Sequence, residues 1–145
     1  MSGKFEVYKK SAAAQISLIE PSYNDQGWLT KNGAVLVEAT VSTGKDANDR
    51  PVFDWTQKIS VALGVNDLCL LFGDISKQLT HEYKESIKGF QFQPGEGQYE
   101  GTFRMILSVK EGEAARRQVM VPLSSGEMQY LGRLFDIATT RMLGW

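Results

Sequence analysis

Twice along this chain a block of strand-patterned sequence runs into a helical one, and that repeat limits the fold more than any other feature. The clearest block is FDWTQKISVAL, residues 53–63. Trp55, Ile59, Val61 and Leu63 share one parity, with Gln57 the exception, while Thr56, Lys58, Ser60 and Ala62 share the other. Alternation of period two marks a half-buried strand. Gly64 ends it, and VNDLCLLFGDI reads as a short helix with Asn66 as N-cap and Gly73 as stop. Upstream, strands are predicted over residues 12–19, closed by Pro21, and over 28–30 and 34–41. Asn32-Gly33 between the last two reads as a hairpin turn, because both residue types tolerate positive φ. The polar stretch STGKDANDRP reads as an exposed loop.

The second half repeats the plan. Strands are predicted over residues 83–94, 99–109 and 116–123, separated by the turns PGEGQ and KEGEA. Ser124 with Glu127 three residues on forms a capping box, opening a helix over residues 126–143. Its apolar positions Met128, Leu131, Leu134, Phe135, Ala138 and Met142 recur at helical spacing, and Tyr130 and Ile137 widen the stripe. Two antiparallel sheets, each followed by a helix, make an α+β fold. At 145 residues this is one domain, 1–145.

Composition removes several function classes. With 42% hydrophobic and 23% charged residues, the chain lies among folded globular proteins and away from disordered ones. Sixteen Lys and Arg against seventeen Asp and Glu leave a net charge of -1. Any nucleic-acid binding must then come from how charges are arranged, not from their sum. One cysteine excludes an internal disulfide, and one histidine leaves little for a metal site or a triad. No apolar run approaches the ~18 residues of a membrane span. The start MSGKFEVYKK is too polar for a signal peptide. These features predict a cytoplasmic or nucleoid-associated protein without membrane, metal or cofactor.

Catalysis finds no constellation to rest on. His81 has no Cys or Ser motif near it and reads as a solvated loop residue. Cys69, inside DLCLLF, reads as a core thiol. Asp46, Asp49 and Asp54 lack the spacing of a calcium loop. GEGQYEG joins two strands and opens no helix, so it is no phosphate cradle. No enzyme and no small-molecule substrate are expected.

Nucleic acid is the stronger class. Single-strand binders combine cations for the backbone with exposed aromatics on which bases stack. Lys84, Ser86, Lys88, Phe90 and Phe92 share one strand face by alternation, and Thr102, Arg104, Ile106, Ser108 and Lys110 share a polar face of the next. Tyr99, Phe103, Met105, Leu107 and Val109 are assigned to the core. Two readings fit Phe90, Phe92 and Trp55, base stacking and core packing. The candidate single-stranded-DNA contacts are Lys9, Lys10, Trp28, Lys31, Trp55, Lys58, Lys88, Phe90, Phe92 and Arg104. Leu131, Leu134, Phe135 and Ile137 surround more of the last helix than one sheet covers, which suits an oligomer interface.

In order and spacing, four segments resemble the Whirly family of single-stranded-DNA-binding proteins: KNGAVLVEAT, FDWTQKISVALGVNDLCLLF, KGFQFQPGEGQYEGTFRMILSV and VMVPLSSGEMQYLGRLFDIATTRMLGW. The resemblance runs from about Tyr8 to the closing Leu143-Gly144-Trp145. It implies two roughly perpendicular four-stranded antiparallel sheets with two helices across them, and a homotetramer with the helices at its centre. It also implies single-stranded DNA bound with little sequence preference across sheet edges and between subunits, in protection, recombination or repair. An RNA binder or transcription cofactor of this fold, or a structural oligomer without nucleic acid, are the alternatives. The family's Lys-Gly-Lys-Ala-Ala-Leu segment is replaced here by Lys9-Lys10-Ser11-Ala12-Ala13-Ala14, which leaves assembly beyond the tetramer open.

Overall fold

The structure, a computed structural model, describes residues 3–145. The first two residues of the expected 1–145 domain lie outside the described residues. The first sheet is built from β1 (Lys4–Tyr8), β2 (Ala12–Ile19), β5 (Ala34–Lys45), β6 (Pro51–Phe53) and β7 (Ile59–Leu63), all antiparallel. Its strand order is β1-β2-β5-β6, and β7 pairs with the earlier part of β5, Val35–Ala39. The second sheet has the order β11-β10-β9-β8, from β8 (Leu79–Glu82), β9 (Ser86–Pro94), β10 (Phe103–Glu111) and β11 (Arg117–Leu123). Helix α1 (Val65–Gly73) follows the first sheet and α2 (Ser125–Met142) the second. The α+β plan of two antiparallel sheets and two helices therefore stands, but the first sheet has five strands where four were expected, and β3 (Ser22–Tyr23) with β4 (Leu29–Lys31) forms a small extra hairpin.

The core follows from parity. Ile16, Val37 and Val61 lie side by side across β2, β5 and β7, and all three are buried. In the second sheet Leu79, Phe90, Leu107 and Val119 form one buried row and Phe92, Met105 and Val121 the next. These rows join Leu68 and Leu71 of α1 and Leu131, Phe135 and Met142 of α2 in one hydrophobic cluster. Burying such side chains supplies about 1.5–3 kcal/mol each.

Three local expectations are corrected. The strand expected over 53–63 is broken: a 3₁₀ turn, Trp55–Gln57, separates β6 from β7. The Asp54 carboxylate accepts hydrogen bonds from Thr56 N (3.0 Å) and Thr56 Oγ1 (2.6 Å), which curls the backbone out of the ladder. Thr40, buried at this point, donates its hydroxyl to Asp54 O (2.8 Å). Asn32-Gly33 is not a hairpin turn, because β4 pairs with β3 and not with β5. Gly33 is instead a close-approach site: a Cβ there would clash with the Ile19 carbonyl oxygen, and Gly33 N donates to Met142 O (2.9 Å). The N-cap of α1 is Gly64 rather than Asn66, and Asp67 Oδ2 accepts from Gly64 N (2.8 Å).

Two single residues also move. Cys69 is exposed, because α1 turns Leu68 and Leu71 inward and position 69 falls outside that face. His81 lies on β8 and not in a loop, with Nε2 3.1 Å from Asp67 Oδ2 at the start of α1.

Candidate nucleic-acid interface

The turn between β1 and β2 carries Lys9 and Lys10, closed by Lys9 N donating to Ala12 O (2.9 Å). Two grooves meet there. One, of about 550 Å³, is lined by Tyr8, Lys9, Lys10, Arg50, Pro51 and Phe53. The Tyr8 and Phe53 rings stand 5.9 Å apart, tilted by 52°. The β5–β6 hairpin delivers Arg50 and Phe53, because β5 runs on to Lys45 where a loop was expected. The other groove, of about 440 Å³, again includes Lys9 and is lined further by Tyr99, Phe103, Arg104, Pro122 and Glu96. Lys9 thus joins a groove on the first sheet to one on the second.

Charge and shape at this junction suit an unpaired strand. Lys10, Arg50 and Arg104 are exposed and form no ion pair among the described residues. Tyr8 is exposed and Tyr99 is 61% exposed, so both rings reach solvent. Lys9 donates Nζ to Glu127 Oε1 (2.7 Å), which also accepts Ser124 N (2.9 Å) as half of the capping box of α2. Burial pushes the Glu127 carboxyl up. Hydrogen bonds from Lys9 and Ser124, with the Lys9 charge, outweigh it and hold the group below its ordinary 4.5.

Of the ten candidate contacts, the structure brings together Lys9, Lys10 and Arg104. Phe90 and Phe92 are corrected: at 1% and 0% exposure they are core, and the T-shaped contact between their rings is internal. Arg104 and Ile106 have the opposite parity from Met105 and Leu107, so they face outward on the same strand. Lys58 is paired with Glu38, and Lys88 donates Nζ to Ser60 O (2.6 Å), bracing the second sheet against β7. Trp55 is half-buried in the 3₁₀ turn. Trp28, 71% exposed, and Lys31 sit on the β3–β4 hairpin and line neither groove.

Sequence reading did not bring Tyr8, Arg50, Phe53 or Tyr99 into the candidate interface, where the structure places them as groove-lining residues. The alternation of KFEVY, with Val7 buried and Tyr8 exposed, was the available signal for Tyr8. Tyr99 was assigned to the core by extending the period of β10 backwards. It lies instead in a 3₁₀ turn, Gly97–Tyr99, where strand parity does not hold.

On α2, the expected oligomer residues divide. Leu131 and Phe135 are buried inside the subunit and are corrected to core, whereas Leu134 is half-buried and Ile137 is 57% exposed. Phe5 stacks on Tyr130 with centroids 5.1 Å apart, beside a groove of about 240 Å³ that Leu134 and Ile137 also line. No helix of the described residues is long and apolar enough to cross a membrane.

Two antiparallel sheets with a helix after each define an α+β fold in which an aromatic and cationic junction lies where Lys9 links grooves on the two sheets. The chain belongs to the Whirly family: it matches the model of the Whirly transcription factors over residues 7–134. That family is one of DNA-binding proteins and not of enzymes. No curated protein sequence matches the chain. Among solved structures, WHY1 from Arabidopsis thaliana superposes with a TM-score of 0.85 at 20% identity, covering 100% of this chain and 87% of that one. WHY3 from the same plant gives 0.81 at 20% identity, covering 99% and 89%. The plant transcriptional regulator PBF-2 gives 0.81 at 19%, covering 100% and 84%. At these identities the likeness is one of fold.

Proposed function

We propose that this protein binds single-stranded DNA with little sequence preference, along the path in which Lys9 joins the two grooves. That shared residue is the observation that carries the reading. Bases stack on Tyr8 and Tyr99, each stacked base contributing about 1–3 kcal/mol. Phosphates meet Lys10, Arg50 and Arg104, and every base has a ring face, so stacking tolerates any sequence. The biological role that fits is DNA protection, recombination, repair or transcription, by a homo-oligomer assembled through the exposed side of α2. A tetramer is the expected size.

Titration of fluorescent oligo-dT, single-stranded RNA and duplex DNA at two salt concentrations tests the proposal. Binding should be clearly tighter for dT than for duplex, because stacking requires unpaired bases. With three unpaired cations on the path, the log–log salt slope should be shallow, about −2. Equal affinity for duplex and single strand overturns the reading, and tighter RNA binding shifts it to the RNA alternative.

A further inference from the structure

Lys9 lines both grooves, yet its ammonium is already engaged. Its partner Glu127 lies in the first turn of α2 and lines neither groove. The two side chains are 30% and 29% exposed, so solvent screens the pair only in part. The same Glu127 oxygen holds Ser124 N, while Glu127 N donates to Ser124 Oγ (3.1 Å). The carboxylate is therefore fixed by the helix cap, and Lys9 comes to it.

We infer that Glu127 is an internal stand-in for a backbone phosphate, holding Lys9 in the groove wall and competing with the bound strand for it. This rests on the two grooves being the nucleic-acid path. While the pair is intact Lys9 carries no net charge to the groove, so a phosphate that takes it exchanges one anion for another and releases no counterion. Glu127→Gln separates charge from cap, because the amide oxygen of Gln accepts the Ser124 N–H as the carboxylate does.

Binding of oligo-dT by the wild type, Glu127→Gln, Ser124→Ala and the Lys9→Gln/Glu127→Gln double variant tests the assignment. Glu127→Gln should bind about fivefold tighter at low salt, the worth of one exposed unit charge at ~4 Å. Its salt slope should steepen by about 0.7, one further phosphate neutralised. The double variant should return to wild-type affinity and slope, since a neutral pair has replaced a neutral pair. Ser124 also lines the second groove, so Ser124→Ala, which weakens the cap and keeps the charge, should leave binding unchanged or weaken it and should not tighten it. In the wild type, NMR titration of the Glu127 carboxyl should move up toward its ordinary value once dT is bound, a readout independent of any variant. Absence of that movement, an unchanged Glu127→Gln, a gain reproduced by Ser124→Ala, or a double variant weaker and shallower than wild type would each overturn the role of Glu127. A wild type that binds no dT overturns the groove reading itself, which is a separate result.

Discussion

At the scale of the residue, one step in parity separates a core side chain from an exposed one. Met105 faces Phe92 and Val121 inside the second sheet, and Arg104 next to it faces out. Tyr99→Ala should therefore weaken dT binding by about 1–3 kcal/mol while leaving the melting temperature near wild type, measured by anisotropy and calorimetry. Phe92→Ala should do the opposite to stability, costing about 3–5 kcal/mol in urea unfolding, because it empties a fully buried site. If Phe92→Ala stays folded and Tyr99→Ala melts early, their places in core and groove are reversed. Gly33 is decided by contact rather than by turn geometry. A methyl group there meets the Ile19 carbonyl, so Gly33→Ala should destabilise by about 1–3 kcal/mol. Unchanged urea unfolding would show that the backbone yields.

At the scale of the element, α2 is fixed at its start by Ser124 and Glu127. Ser124→Ala should cost about 1 kcal/mol of stability, the usual worth of an N-cap hydroxyl. The Glu127 carboxyl titrates lower in the folded chain than its ordinary 4.5, so its stabilisation is present above that pH and is lost as pH falls through the folded value. The expected stability gap between wild type and Glu127→Gln, about 0.3–1 kcal/mol at pH 7, should shrink as the pH falls below 4.5 and through the lowered folded value. A gap that persists in acid would mean the side chain acts through shape and not charge. This capping box was legible in the sequence because it is local, two residues three apart. The 3₁₀ turn at Trp55 was not. Its cause, Asp54 holding Thr56, competes with a strand period that Ile59, Val61 and Leu63 really do follow.

At the scale of the whole molecule, an apolar face remains on α2 after the subunit core is complete. Ile137 is exposed and Leu134 half-buried, beside the stacked pair Phe5 and Tyr130. Ile137→Asp should leave the subunit folded and release monomers, seen by native mass spectrometry at micromolar concentration. Leu131→Asp should unfold it instead, because Leu131 is buried within the subunit and the new charge has no partner. A wild type that is monomeric at that concentration would overturn the oligomer.

The α+β class, the order of most strands, the two helices and the α2 cap were settled by the sequence itself. Each rests on neighbours within a few residues, where periodicity and capping act. What lies far apart was decided only by the tertiary structure. Lys9 meets Glu127 across 118 positions, and Tyr8 of β1 meets Phe53 of β6, strands at opposite ends of the order β1-β2-β5-β6. Alternation tells which residues share a face, but not which face the second sheet and the helices cover. That choice turned Phe90 and Phe92 inward and left Tyr8 and Tyr99 as exposed aromatics lining the two grooves.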